Sequence, residues 1–157
     1  ARLPKLKVLM MWTPVVTDHG MESLKALKNL ETLHASDAGL GNDTLAVLAS
    51  LPKLKKLALQ HNQFTDAGLA HLSGLTNLTS LWIGTAAGTI TDQGLVHLKS
   101  LTRLQELELQ NTEITDAGLG ELNGLRHLRR LYLGGSMVSE AGRSRFEAEH
   151  PQVQIVN

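Results

Sequence analysis

Leucines recur along the chain at a nearly constant spacing and divide it into six similar units. Successive units open 24, 24, 24, 26 and 24 residues apart. The opening residues are Leu3, Leu27, Leu51, Leu75, Leu101 and Leu125. Within each unit, apolar residues occupy positions 1, 4, 7 and 9, and another follows at position 14, or two residues later in the fourth unit. A repeat of this length predicts a solenoid, in which each unit is stable because it stacks on its neighbours.

The spacing of apolar residues changes within each unit, which predicts a strand followed by a helix. Positions 7 and 9 lie two residues apart, as in a strand, whereas the later apolar positions 19 and 22 lie three apart, as in a helix. Between them most units carry a Thr-Asp pair and then a glycine, for example Thr115, Asp116 and Gly118. The threonine is a preferred helix cap and the aspartate favours the positive helix end. The glycine predicts a close approach of the helix to the strand layer.

Stacking these units is predicted to form one parallel sheet backed by a layer of helices. Neighbouring strands lie about 4.8 Å apart whereas packed helices need about 8–10 Å, so the stack bends with the sheet on its concave face and the helices on its convex face. The sequence therefore predicts a single domain over residues 1–157. Its repeats are predicted at 3–26, 27–50, 51–74, 75–100, 101–124 and 125–148, with a C-terminal cap over 143–157.

The segment from Leu101 to Leu125 reads LxxLxxLxLxxTxITDAGLxxLxxL and resembles a leucine-rich repeat. Its ITDxGL element is similar to the subtype of repeat found in F-box-type proteins and in many bacterial repeat proteins. Because the chain has no cysteine, it resembles the bacterial versions more than the F-box type. The resemblance implies an α/β leucine-rich-repeat solenoid of about six repeats. It also implies a role in protein recognition, although the fold alone does not identify the partner.

Three units depart from the common pattern. The second reads SDAGLGNDTLAVL and lacks the Thr-Asp-x-Gly element, so its turn is predicted to differ. The fourth has two extra residues within Gly84–Thr89, which predict a bulge where the strand ends. The sixth has a polar helix that stops at Pro151 and a final strand over 153–156, which together predict a cap. The N-terminal edge has no matching cap, which predicts that either further chain or a partner covers it.

Positions 6, 8 and 10 of each unit are predicted to point outward from the concave sheet. Both tryptophans and the single tyrosine fall on these positions, and these residue types dominate protein–protein hot spots. We therefore predict a partner-binding surface there. Its predicted residues are Met10, Trp12, His34, Lys56, Gln60, Trp82, Glu106, Glu108, Gln110, Arg130 and Tyr132. The alternative is that the aromatic side chains only fill the sheet surface by packing on one another and on long neighbours.

Composition narrows the classes of partner. The 157 residues include 15 Lys plus Arg and 15 Asp plus Glu, so the formal net charge is zero. This balance argues against nucleic acid or an anionic membrane surface as the main partner. No apolar run approaches the roughly 20 residues that a membrane-spanning helix requires. The absence of cysteine excludes disulfides and thiol chemistry.

Candidate catalytic and metal-binding groups are weak. Glu106 and Glu108 share the outward face, but an open sheet gives them no shelter, so we expect a solvated charge ladder in which Arg130 pairs with Glu106. His71 and His97 recur in one helix column, at a spacing too wide for a shared metal. We therefore predict no cofactor, no metal and no enzymatic activity. The predicted function is a protein-interaction module, and the alternative is a structural segment that assembles through its N-terminal edge.

Overall fold

The computed structural model describes residues 3–11, 16–85 and 90–157. Within these ranges seven strands form one parallel sheet, and each strand pairs with the next one along the chain. The strands are β1 (Val8–Met10), β2 (Thr32–His34), β3 (Lys56–Ala58), β4 (Ser80–Trp82), β5 (Glu106–Glu108), β6 (Arg130–Tyr132) and β7 (Gln154–Val156). This strand order and the alternation with helices confirm the predicted solenoid.

The helical layer consists mainly of very short helices. The α-helices are α1 (Asp18–Met21), α2 (Asn42–Leu48), α3 (Asp66–Leu69), α4 (Asp92–Leu95), α5 (Asp116–Leu119) and α6 (Glu140–Glu149). Segments of 3-10 helix over Glu22–Ala26, Ala70–Gly74, Val96–Leu98 and Gly120–Leu122 follow α1, α3, α4 and α5. A 3-10 helix has three residues per turn, so leucines spaced by three, such as Leu69, Leu72 and Leu75, keep facing the core.

The core is a continuous stack of leucines behind the sheet. The central residues of the seven strands are in register, and from β2 to β6 they are buried. This column comprises Leu9, Leu33, Leu57, Leu81, Leu107, Leu131 and Ile155. Position 7 therefore points inward as predicted, and the side chains on either side of it point to the opposite, open face.

A second set of contacts joins the helical turns of successive units. The Asp66 carboxylate accepts hydrogen bonds from the Thr91 amide at 2.8 Å and the Thr91 hydroxyl at 2.7 Å. Asp92 makes the same two bonds with Thr115, at 2.8 and 2.6 Å. Asp116 repeats them with Ser139, at 2.7 and 2.6 Å. We call this series the aspartate ladder, because each aspartate anchors the turn of the unit that follows it.

The glycine of the ITDxGL element makes room for this ladder. A Cβ atom on Gly94 would collide with the Asp66 carboxylate, and one on Gly118 would collide with the carboxylate of Asp92. The prediction that this glycine allows a close approach of the helix to the strands was therefore wrong about its neighbour. The side chain that occupies the space is the aspartate of the preceding unit.

The second unit preserves the ladder with exchanged residues. Gly41 stands at the threonine position and donates its amide to Asp18 at 3.0 Å, while the Thr44 hydroxyl, three residues later, donates to the same carboxylate. Asn42 replaces the aspartate and accepts from the Thr65 amide at 3.1 Å. The helix that follows is α2, with seven residues instead of four. The predicted difference in this turn is thereby confirmed.

The remaining departures lie at the fourth unit and at the C-terminal end. Of the predicted bulge only Gly84 and Thr85 are described, since residues 86–89 lie outside the described ranges, and the bulge stays a prediction. At the C-terminal end α6 stops before Pro151 and β7 pairs with β6, so the predicted last strand is present.

No helix within the described ranges combines the length and the apolar character needed to cross a bilayer.

Replacing Leu107 with alanine is expected to lower the free energy of unfolding by about 2–5 kcal/mol, because the fully buried side chain would leave a cavity. The same change at Leu9, which is only partly buried in the edge strand, is expected to have a smaller effect. Urea unfolding followed by circular dichroism measures both variants. A Leu107→Ala protein as stable as the parent would show that position 7 does not belong to the core.

Replacing Asp92 with alanine is expected to lower the free energy of unfolding by about 1–3 kcal/mol, because the Thr115 amide and hydroxyl lose a charged acceptor. The control is Glu113→Ala, which removes an exposed carboxylate from the loop before α5, the helix that Thr115 caps. Urea unfolding at neutral pH measures the difference. Equal stability of the two variants would show that the ladder does not contribute to the folded state.

Candidate recognition site on the concave sheet face

The strand register gathers most of the predicted binding residues on one face of the sheet. Position 8 forms a column from Met10 to Tyr132 and position 6 forms a column beside it from Val8 to Arg130. We call this open face the concave sheet face. Nine predicted residues lie on or beside it over β2–β6, and Met10, with 48% of its surface exposed, lies at the β1 edge. Trp12 lies outside the described residues.

Two aromatic residues form the centre of this face. The ring centroids of Trp82 and Tyr132 are 6.2 Å apart and their planes are inclined at 55°, although β5 lies between their strands. Both residues are half-buried. The indole Nε1 of Trp82 is buried and has no hydrogen-bond partner among the described atoms. The rings therefore pack on each other, as the alternative interpretation expected, while part of each residue stays exposed to solvent.

The expectation that Glu108 is solvated was wrong. Glu108 is 5% exposed, and its two carboxylate oxygens accept hydrogen bonds from the amides of Gly84 and Gln110, both at 2.9 Å. Burial raises the pKa of Glu108, while these amides and the nearby His61 act in the opposite direction. The carboxylate thus ties the end of β4 to the end of β5 instead of facing a ligand.

The glycine at Gly84 is the sequence signal that could have indicated this burial. A Cβ atom there would lie 2.6 Å from the Gln110 carbonyl oxygen and would also overlap the Glu108 carboxylate. Gly134 occupies position 10 of the sixth unit, next to Gln110 of the fifth unit. A Cβ atom on Gly134 would lie 3.0 Å from the side-chain Nε2 of Gln110. A glycine at position 10 therefore indicates that a long side chain of the preceding or following strand folds over it.

The charged side chains on and beside this face are mostly paired. Arg130 forms an ion pair with Glu106, which confirms the prediction for these two residues. Beside the face, Lys55 at 2.6 Å and Lys7 at 3.0 Å both contact Glu31 and lower the pKa of that carboxyl to about 2. Lys56 is exposed and has no ion-pair partner among the described residues. It therefore provides the sheet face with an uncompensated positive charge.

A hollow of about 200 Å³ lies beside Trp82 on this face. Its lining comprises His34, Lys56, Leu57, Ala58, Ser80, Trp82 and Glu106. The hollow exists because Ala58 is much smaller than His34 and Trp82, its neighbours in the position 8 column. Ala58 and Ser80 are not among the predicted binding residues, although a small residue in a column of large ones is the sequence signal for a depression.

A second, smaller hollow of about 130 Å³ also contacts Trp82. It is lined by Gln60, Trp82, Glu108, Gln110 and Tyr132. The Gln60 side chain is held by the hydroxyl of Ser36, which donates to its carbonyl oxygen at 2.8 Å. Trp82 is thus shared by an amide-lined hollow and by the hollow that contains Lys56.

Potential metal ligands do not cluster in the described part of the chain. No group of three or more His, Asp or Glu residues there could hold a metal ion. His71 and His97, which sequence analysis placed in one helix column, lie on the helical layer away from the concave sheet face.

Comparison with known proteins identifies the class of fold. A family model described as Leucine Rich repeat matches residues 50–73 and 95–122. Internalin C2 from Listeria monocytogenes is similar at 26% identity and a TM-score of 0.70, over 86% of this chain and 55% of that protein. An internalin from the same organism, InlF, shares 23% identity at a TM-score of 0.72, over 85% of this chain and 36% of that one. No curated protein sequence matches the chain.

More distant structures show the same architecture. A leucine-rich-repeat protein from Leptospira interrogans has 20% identity and a TM-score of 0.63, over 99% of this chain and 50% of its own. The chain therefore folds as a leucine-rich-repeat solenoid, and it spans about half or less of the length of these three structures. Domains of this fold generally serve protein–protein interaction and are typically not enzymes. The ITDxGL subtype stays a prediction.

The buried carboxyl of Glu108 is expected to make stability depend on pH. The pKa of Glu108 in the folded state is raised above the ordinary value of 4.5. The stability that its protonated carboxyl contributes is therefore fully present below pH 4.5 and is lost as the pH rises through the folded-state pKa. The difference in unfolding free energy between the parent and Glu108→Gln is therefore expected to decline as the pH rises above about 4.5 and then to level off. Urea unfolding across this range measures it. A difference that is constant with pH would contradict the assigned burial.

Proposed function

We propose that this chain is a non-enzymatic recognition module that binds a protein partner through its concave sheet face, with Trp82 as the central anchor. The observation that carries the proposal is the position of Trp82, which lines both hollows and packs against Tyr132. Tryptophan and tyrosine at the centre of an interface account for a large share of binding energy when a partner excludes water from them.

The surroundings of the anchor support this role. Gln60 and Gln110 supply amide groups on one side of the indole, and the ion pair of Glu106 with Arg130 borders it along the strands. A polar rim of this kind excludes water from a central aromatic contact and fixes its orientation. Since these side chains project from a hydrogen-bonded sheet, little backbone order must be gained on binding.

The charge on this face indicates the chemistry of the partner segment. Lys56 borders the hollow beside Trp82 and has no ion-pair partner among the described residues. The hollow itself has an apolar floor of Leu57 and Ala58. We infer that a partner inserts an apolar side chain against the indole and places a carboxylate near the Lys56 ammonium group, since that pairing is electrostatically complementary.

The state of Glu108 supports a binding role over a catalytic one. A general acid or base must reach a substrate atom, whereas both oxygens of this carboxylate are bonded to backbone amides within the sheet. Its neighbour Glu106 is engaged by Arg130. The two carboxylates that sequence analysis considered for acid–base chemistry are therefore used to hold the sheet face in shape.

Replacing Trp82 with alanine is expected to weaken binding of the partner at least about tenfold, equivalent to about 1.4 kcal/mol, because the partner loses its central contact. Affinity capture on the immobilised chain identifies candidate partners, and titration calorimetry with the purified partner measures the loss. Lys56→Glu is also expected to weaken binding of this partner, because it reverses the sign of the local charge. This loss of affinity is expected to grow as the salt concentration is lowered, since salt screens the interaction.

The matched control is Val96→Ala, which removes an exposed apolar side chain from the helical layer. It is expected to leave binding unchanged. Far-UV circular dichroism confirms that every variant is folded. A partner that binds Trp82→Ala and the parent chain equally, but loses affinity for Val96→Ala, would assign recognition to the convex side and refute the proposal.

A further inference from the structure

The edge of the sheet at β1 is open on the side away from β2. Among the described residues, β1 pairs only with β2, so one row of its backbone amide and carbonyl groups has no strand partner. Apolar side chains lie along this edge, with Leu3 56% exposed and Val8 and Met10 each 48% exposed. Leu6 and Leu9 are only partly buried, although their counterparts in the middle of the stack are fully covered.

The contact between helical turns is also incomplete at this edge. In the fourth, fifth and sixth units, the capping hydroxyl donates to an aspartate of the preceding unit. Thr17 holds the equivalent position in the first unit. Its hydroxyl accepts from the Gly20 amide at 3.2 Å, and no acceptor for that hydroxyl lies among the described residues. The first unit thus has the hydrogen-bond donor of the aspartate ladder, but no aspartate acceptor for it among the described residues.

Gly20 supplies an independent observation. In later units the equivalent glycines leave space for an oxygen of the preceding unit, such as the Asp66 carboxylate above Gly94. At Gly20 the nearest atoms to an added Cβ are Thr17 Oγ1 and Val16 Cγ1, both 3.8 Å away and both from the same turn. Neither a left-handed backbone nor a described neighbour requires a glycine here. The residue fits a carboxylate that would come from outside the described stack.

We propose that this edge is a docking surface for one further leucine-rich turn, which adds a parallel strand beside β1 and places an aspartate carboxylate over Thr17 and Gly20. The proposal rests on continuity with the interface between units, since the same strand pairing recurs along the whole stack and the same aspartate contact joins the third unit to the fourth, the fourth to the fifth and the fifth to the sixth. It concerns a surface separate from the concave sheet face and does not depend on the function proposed for Trp82.

The occupant is defined by its chemistry. It must bring leucines to cover Leu6 and Leu9, an extended segment in parallel register with Val8–Met10, and a carboxylate one turn later. The chain contains such a turn at residues 101–124, where Asp116 performs this role towards Ser139. A copy of this segment is therefore the appropriate probe.

The test joins a copy of residues 101–122 directly to Ala1, so that Leu3 follows the copied leucine at the 24-residue spacing of the natural repeats. We expect a single unfolding transition whose midpoint is higher by on the order of 5 °C, because the added turn buries the open edge. Asp116→Ala made only within the copy is expected to remove a large part of this increase. An unchanged midpoint, or separate unfolding of the added turn, would overturn the proposal.

Glycine variants provide the matched control. Gly20→Ala is expected to be harmless in the original chain, because the nearest described atoms lie 3.8 Å from the added methyl group, an ordinary van der Waals distance, but to abolish the increase in the extended chain. Gly94→Ala is expected to destabilise both forms, because its methyl group meets the Asp66 carboxylate in each. If sedimentation shows that the original chain dimerises and that Gly20→Ala prevents it, the edge binds a second copy and the single-turn proposal is wrong.

Discussion

Each unit of this protein is too small to cover its own leucines, and that constraint governs the whole structure. A three-residue strand and one helical turn bury a leucine only when a similar unit lies on either side. In the middle of the stack Leu81 and Leu107 are completely covered in this way, whereas Leu9 at the edge stays partly exposed. Burial is therefore a property of neighbouring pairs of units, and the strand register follows from the requirement that their leucines align.

The polar contacts between turns obey the same rule. The Thr-Asp-x-Gly element looks like a local helix-start signal, yet its aspartate serves the next unit and its glycine accommodates the aspartate of the previous one. Two positions about 24 residues apart therefore constrain each other as directly as adjacent residues do. The second unit demonstrates the coupling, since Gly41 and Thr44 exchange the usual roles of threonine and glycine and the Asp18 carboxylate still has two donors.

The recognition surface results from this stacking. Register aligns every position 8 side chain, so a tryptophan in β4 and a tyrosine in β6 come into contact across the intervening strand. The side chain between them in that column, Glu108, turns aside to the backbone amides of Gly84 and Gln110. The aromatic pair is consequently supported by a rigid, hydrogen-bonded base, which is a favourable arrangement for an anchor.

The sequence by itself determined the number of units, the strand and helix in each, the direction of every position 7 side chain and the face on which Trp82 and Tyr132 lie. These follow from apolar spacing, because period two and period three fix which side of an element is buried. The tertiary structure alone decided that Glu108 is buried and that Ala58 opens a hollow beside Lys56. It also decided which unit each aspartate serves. Those features depend on side chains about 24 residues apart that come into contact only when the units stack. The local spacing of apolar residues does not indicate such contacts.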